Sequence, residues 1–310
     1  MTTSVLVTSA AGGTQGRTGR HVSEMLLRRG VRVRAFVRQD DQRSDHLKSL
    51  GAEIVVGDFL DARSVERAAR DVSSIYFAYP VQDGLAEATA AMAFAARRHG
   101  VSRLVNLVMY QSSLDAPTPR MRQNFLSEQV FEWAGVGPLH LRATVFYENL
   151  ARLVGASLPA HGAVRLPLGR EGTLLPLISA EDVARIAVGL LTGPGRAAGS
   201  AFPAVGSVIS IGEIVATFAR VLDRDIRYEA VTDDQWRSEA LARGWNAHAV
   251  EHLSSLWASL RAAGLLAEAG RFAVTDVIEA IGGARPKTFE QFVREQQSDL
   301  MAATGPGSRP

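Results

Sequence analysis

The sequence predicts an α/β protein: a doubly wound parallel sheet with a smaller, mostly helical C-terminal lobe. Two observations lead there. Short apolar, β-branched runs alternate with helical segments as far as about Leu150, the pattern of βαβ units that place helices on both faces of a parallel sheet. Beyond that point the alternation weakens, and from Asp233 to Arg294 the pattern is mainly helical.

Ser4-Val5-Leu6-Val7-Thr8 reads as the first strand and ends in a glycine-rich bend, Ser9 to Gly19. A helix follows, with Val22, Met25 and Leu26 at helical spacing and Gly30 as its C-cap. Val31 to Val37 forms a second strand, His46 to Leu50 a short helix, and Ala52 to Val56 a third strand. Asp61 to Val65 opens a helix. Ser74 to Ala78 is a strand, Leu85 to His99 a long helix, and Arg103 to Met109 the fifth strand. Gln123 to Trp133 is helical, and Leu139 to Phe146 is the sixth strand. Later come a strand at Thr173 to Ile178, a helix at Glu181 to Leu191, a helix at Ile211 to Leu222 and a brief strand at Arg227 to Val231. The expected division is a nucleotide-binding domain over residues 1–150 and a substrate-binding lobe over 151–300, with a segment near 173–205 returning to the sheet. Residues 301–310, rich in Gly, Pro and Ser toward their end, read as a flexible tail.

Composition narrows the function classes. Apolar residues make up 46% and charged residues 21%, a globular balance with a formal net charge of only +2. No run of like charges builds a stripe for nucleic acid. There is no cysteine, which excludes disulfides, thiol nucleophiles and thiolate metal sites. No apolar run approaches the roughly 18 residues of a membrane span, and Met1 to Leu6 lacks a basic leader. The chain therefore reads as cytoplasmic, acting on a small molecule, with room for a homodimer or a protein partner.

Gly13-x-x-Gly16-x-x-Gly19 lies between a strand and a helix, the context in which glycines serve a phosphate. Glycine lets the backbone approach a diphosphate, and the helix start turns free N–H groups and partial positive charge toward it. Ser9, Gly12, Gly13, Gln15, Gly16, Thr18 and Gly19 are the candidate contacts. At the end of the second strand stands Arg38 rather than a carboxylate, which favours the 2′-phosphate of NADP(H) over the bare ribose of NAD. Asp40 and Asp41 follow closely, so a plain ion pair with Arg38 is the competing reading.

The loop Thr8 to Gly19, the pair Val37-Arg38, Gly57-Asp58-Phe59-Leu60-Asp61, and Leu141-Arg142 with Phe146-Tyr147-Glu148-Asn149 together resemble the NmrA-like group of atypical short-chain dehydrogenases/reductases. The stretches Thr275-Asp276-Val277 and Pro286-Lys287-Thr288-Phe289 extend the resemblance over nearly the whole chain. It implies a Rossmann domain in which Asp58 and Phe59 flank the adenine and Tyr79-Pro80 pass near the cofactor. Read by itself, Asp58 could equally cap the helix that starts nearby. Members of the group include NADPH-dependent quinone and azo reductases, aromatic ether reductases, and NADP-sensing regulators without turnover.

The wider superfamily uses Ser with Tyr-x-x-x-Lys, the lysine lowering the tyrosine's pKa. The residues four after the five tyrosines are Pro80, Asp83, Leu114, Ala151 and Thr232. By position the Ser falls on Val108, the Tyr near Arg120 and the Lys on Asn124, a slot where NmrA-like enzymes often carry His or Lys. Tyr110, after the fifth strand, is the candidate for substrate contact or proton donation. Asn124, Tyr147, Asn149, Trp245 and His248 are further substrate candidates. Glu128 is expected to face solvent or a partner on its own helix, and His161 to sit in a Gly/Pro-flanked lid loop. His248 and His252 form an i, i+4 pair without a third ligand, so no metal site is expected. The reading that follows is an NADPH-dependent reductase of a small, hydrophobic, conjugated substrate. A non-redox cyclase or isomerase on the same fold, or a non-catalytic NADP(H) sensor, are the alternatives.

Overall fold

The computed structural model describes residues 4–12, 17–245, 247–268, 270 and 272–304. In chain order the elements begin β1 (Ser4–Thr8), α1 (Thr18–Arg28), β2 (Arg32–Val37), α2 (Gln42–Ser49), β3 (Glu53–Val56), α3 (Ala62–Ala69) and β4 (Ser74–Phe77). They continue with α4 (Leu85–Arg98), β5 (Arg103–Met109), α5 (Pro119–Ala134), β6 (Pro138–Ala143), β7 (Val145–Phe146) and α6 (Tyr147–His161). Then come β8 (Ala163–Leu166), β9 (Leu174–Ile178), α7 (Ala180–Thr192), β10 (Ser200–Ala204), β11 (Ser207–Ser210), α8 (Ile211–Leu222) and β12 (Arg227–Ala230). The chain closes with α9 (Asp233–Ala242), α10 (Ala247–Glu268), α11 (Val277–Gly282), α12 (Phe289–Glu295) and α13 (Gln297–Thr304). Among the described residues no helix is long and apolar enough to cross a membrane.

The chain divides into two units. The first comprises Met1–Ala143, Ala180–Ala204 and Asp276–Arg285. It holds a seven-stranded sheet in the order β10-β6-β5-β4-β1-β2-β3 with parallel pairings throughout. Alternation along β1 explains the two layers. Leu6 joins one face, a buried cluster with Val65 of α3, Met92 of α4 and Phe131 of α5. Val5 and Val7 point the other way and are equally buried; α1 and α7 pack against each other in this unit. The chain runs outward from β1 in both directions, so the carboxyl ends of β1 and β4 flank the place where the strand order reverses. Dinucleotides bind at such a crevice in doubly wound sheets.

The second unit comprises Thr144–Ser179, Val205–Thr275 and Pro286–Pro310. It contains a three-stranded sheet, β11-β9-β7, and the pair β12-β8, with α6, α8, α9, α10, α12 and α13. The expected return of the 173–205 segment starts at Ala180, because β9 pairs with β7 and β11 and stays in the second unit. The single strand expected at Leu139 to Phe146 is two strands in two different sheets, broken at Thr144.

Two further expectations are corrected. His161 does not sit in a loop. It is the last residue of α6, which tolerates Pro159 near its end and stops at Gly162 with φ of 61°. The tail does not begin at 301, because α13 runs to Thr304, Leu300 is buried, and the helix packs on α6 and α8; residues 305–310 lie outside the described residues.

Candidate functional site

The site is built at the junction of β1 and α1. Ser9 takes a left-handed conformation (φ 52°) and its hydroxyl donates to the Ala78 carbonyl at 2.8 Å. Thr8 ties down the same point: its Oγ1 donates to Ala78 O and accepts from Ala78 N. The carboxyl ends of β1 and β4 are thereby locked to one another. Gly12 (φ 69°) closes a turn onto Ser9 O at 3.2 Å. Gly13, Gln15 and Gly16 lie outside the described residues.

At the helix start the physics is sharper. A Cβ on Gly19 would lie 2.5 Å from the Thr8 carbonyl oxygen and 2.6 Å from that of Ser9, so only glycine lets α1 begin this close to β1. Helices α2, α3 and α5 have side-chain caps from Asp41, Asp61 and Thr118. Among the described residues helix α1 has no side-chain cap, and its first turn carries no acid. The Arg20 and His21 amides bond back to Arg17 O, so it is the Thr18 and Gly19 amides, with the helix's partial positive charge, that would meet an anion. Both features, a cradle that a Cβ would fill and an uncapped helix start, fit a diphosphate.

Arg38 stands just past β2, 77% exposed, with Asp58 4.0 Å away. The competing pairing with the neighbouring acids is not made: Asp40 pairs with Lys48 at 2.6 Å, and Asp41 with Arg43 at 2.6 Å. Arg43 was not among the expected residues. Its Nη1 donates to the Gly12 carbonyl at 3.3 Å, which brings a second guanidinium to the glycine bend from the start of α2. The signal for it was its place in the first turn of the helix that follows β2.

Asp58 does not cap α3. Its Oδ1 accepts from Leu60 N at 2.9 Å, and the cap comes from Asp61. Phe59 stands in edge-to-face contact with Phe36, Phe77 and Tyr79 at 5.1 to 5.9 Å, forming an aromatic wall with Tyr79, which Pro80 follows on the loop after β4. The Tyr79 hydroxyl donates to Asp83 O at 2.6 Å.

In the slots of the absent catalytic set, Val108, Arg120 and Asn124 are all buried. Asn124 Oδ1 accepts from the Met109 amide at 3.2 Å. Arg120 donates to the carbonyls of Tyr79, Pro80 and Gln82, and burial brings its guanidinium down to about 10. Glu128 corrects another expectation. It is buried and faces neither solvent nor its own helix, accepting two hydrogen bonds, at 2.9 and 2.5 Å, from Arg142 of β6. One turn on, Glu132 meets His140 at 3.1 Å, and burial holds that imidazole below its ordinary value.

The tyrosines sort by environment. Tyr76 is fully buried, which pushes its phenol up. Tyr228 is raised to about 12 by burial, and its hydroxyl lies against the carbonyls of Leu166 and Gly169. Tyr147, a substrate candidate in the sequence, is fully enclosed: its ring is against Phe289 and Phe292, and its hydroxyl lies 2.9 Å from Ser207 Oγ and 3.2 Å from Lys287 O. It packs the second unit. Tyr110 follows β5 directly, its amide donating to Ala143 O at 2.9 Å, and is the tyrosine positioned beside the Asn124 anchor.

In the second unit Asn149 is half-buried in the first turn of α6. Trp245 is half-buried, edge-on to Trp236 at 6.2 Å and beneath the Arg152 guanidinium at 5.5 Å. With Leu153, Arg165 and Arg243 these tryptophans line a cavity of about 20 Å³, room for little more than one water molecule. His248 lies on α10, and its side chain is outside the described residues. Among the described residues no cluster of three His, Asp or Glu side chains could hold a metal.

Comparison with known proteins agrees with this architecture. The chain is 26% identical to the NAD(P)H azoreductase of Xenophilus azovorans over 94% of its length and 98% of that protein's. In fold it superposes on the NADPH-dependent quinone oxidoreductase of Escherichia coli complexed with NADPH, with a TM-score of 0.79 at 16% identity, covering 96% of this chain and 99% of that one. It superposes equally well on NmrA, a negative transcriptional regulator in complex with NADP, with a TM-score of 0.79 at 17% identity over 99% of both chains. Residues 1–259 match the family model, and the chain belongs to the NmrA-like family.

Proposed function

We propose that this chain is an NADPH-dependent reductase of small, hydrophobic, conjugated substrates of the quinone, azo or enone type. The observation that carries the reading is the β1–α1 junction, where Gly19 and an uncapped helix start stand ready for a diphosphate. Ser9, Gly12, Thr18 and Gly19, with Gly13, Gln15 and Gly16 of the same bend, would hold it. Arg38 and Arg43 would take the 2′-phosphate, a rigid fork suiting its geometry. Asp58, Phe59, Tyr79 and Pro80 would border the adenine half. When bound, NADPH supplies a hydride.

The substrate class follows from what the protein cannot supply. Asn124 has no titratable proton at neutral pH, Val108 has none at all, and Arg120 is occupied by three carbonyls. Reduction of a plain ketone asks for a placed acid. A quinone, azo bond or activated alkene accepts hydride more readily and can draw its proton from water. Tyr110 then serves substrate contact or proton donation, and Asn149, Trp245 and His248 are the further residues proposed for substrate. The 26% identity to an azoreductase over nearly the whole chain supports the same class.

The test is NADPH oxidation, followed by loss of the reduced nicotinamide's absorbance, against a panel of quinones, azo dyes and enones. Turnover is expected with at least one class and is expected to fall in Tyr110→Phe. Saturable NADPH binding with no oxidation across the panel would overturn the reductase reading in favour of a non-redox enzyme or a sensor.

A further inference from the structure

Arg120 occupies an unfavourable place for a cation. It is the second residue of α5, where the helix's partial positive end repels positive charge, and only 7% of it is exposed. A guanidinium is kept there when its donors are matched. The partners are three main-chain carbonyls, Pro80 at 2.7 Å, Tyr79 at 3.2 Å and Gln82 at 3.2 Å. The guanidinium also lies 5.6 Å from the centroid of the Tyr79 ring. Every one of these contacts falls on the loop that joins β4 to α4.

That loop needs holding. Pro80 contributes no amide donor, and Gln82 and Asp83 are exposed. Within the loop, Gln82 N donates to Pro80 O at 2.9 Å and the Tyr79 hydroxyl to Asp83 O. Its inner end is pinned at Ala78 by Thr8 and Ser9 of the opposite rim. Arg120 adds three hydrogen bonds to its outer part, at Tyr79, Pro80 and Gln82. The loop also carries Tyr79, whose ring abuts Phe59 at 5.1 Å, so its position sets one wall of the crevice at the strand-order reversal.

We propose that Arg120 is a positioning residue for dinucleotide binding, clamping the β4–α4 loop so that the Tyr79-Pro80 wall keeps its shape. The proposal rests on the function given above. The clamp acts on a wall that meets the part of the cofactor NADH and NADPH share, so its loss weakens both alike, unlike loss of Arg38. A lysine keeps the charge but has no planar fork to span three carbonyls.

The experiment compares wild type, Arg120→Met and Arg120→Lys by calorimetric titration with NADPH and with NADH, after circular dichroism shows each variant folded. Hydrogen exchange at the Gln82 amide is read in parallel without nucleotide. Both substitutions are expected to raise the two dissociation constants by a similar factor, about tenfold, and to speed exchange at Gln82. In a third variant, Arg120→Ala, likewise shown folded by circular dichroism, added guanidinium but not sodium is expected to restore part of the binding, a rescue that a general loss of stability would not give. Unchanged binding in a folded Arg120→Met, or a loss confined to NADPH, would overturn the clamp. Wild type that binds neither nucleotide would instead bring down the reading beneath it, and the exchange rates would then report the loop by itself.

Discussion

Asn124 Oδ1 accepts a hydrogen bond from the Met109 amide at 3.2 Å. The residue standing where the superfamily's lysine would be therefore secures the last residue of β5, one position before Tyr110. The side chain is buried, and Met109 is the last β5 residue in register with β6, opposite Ala143. An interaction of this kind is structural first, and affects chemistry through the placement of Tyr110.

Asn124→Ala is expected to destabilise the protein by about 1–3 kcal/mol, the range for leaving a buried donor unmatched. Urea denaturation measures it. An unchanged midpoint would show that water replaces the carboxamide.

Gly19→Ala places a methyl 2.5 Å from one main-chain oxygen and 2.6 Å from another. Neither carbonyl belongs to a flexible side chain, so the β1–α1 junction must shift, at about 1–3 kcal/mol. NADPH affinity is expected to fall together with the melting temperature. A variant that melts and binds like wild type would contradict the close approach.

Arg38→Ala is expected to weaken NADPH binding about tenfold and to leave NADH binding nearly unchanged. Solvent screening at this exposed site limits the effect. Arg43→Ala is expected to act in the same direction, since its guanidinium reaches Gly12 O from the start of α2. Equal losses for both nucleotides in Arg38→Ala would remove its assigned role.

His140 gives a pH dependence. Burial lowers its pKa from the ordinary 6.5, while Glu128 and Glu132 act in the opposite direction. The unfolded chain therefore binds the proton more readily than the folded one, so this histidine's contribution to stability is present above about pH 6.5 and declines as the pH falls toward the folded value. His140→Gln is expected to flatten the acid side of a stability–pH curve measured by urea denaturation. An acid limb identical to wild type would assign that loss to other groups.

Much of the first unit was legible in the chain. Alternation of apolar runs marked the strands, and Gly30 marked the end of α1, because each of these signals is local. The β6–β7 break was not legible: Leu139 to Phe146 reads as one strand, and only pairing shows that Val145 and Phe146 belong to another sheet. The helix ending at His161 was hidden by Pro159, which sits late enough in α6 to be tolerated.

The sequence alone determined the βαβ order, the glycine bend before a helix, the arginine after β2 and the loss of the Ser, Tyr and Lys set. All of these depend on neighbours along the chain. Tertiary structure decided the partners: Glu128 with Arg142, Tyr147 enclosed by Phe289 and Phe292, Asp61 rather than Asp58 as the cap, and Arg120 on a loop some 40 residues upstream. A buried polar group must find its match wherever packing brings one, and no spacing rule records which one that will be.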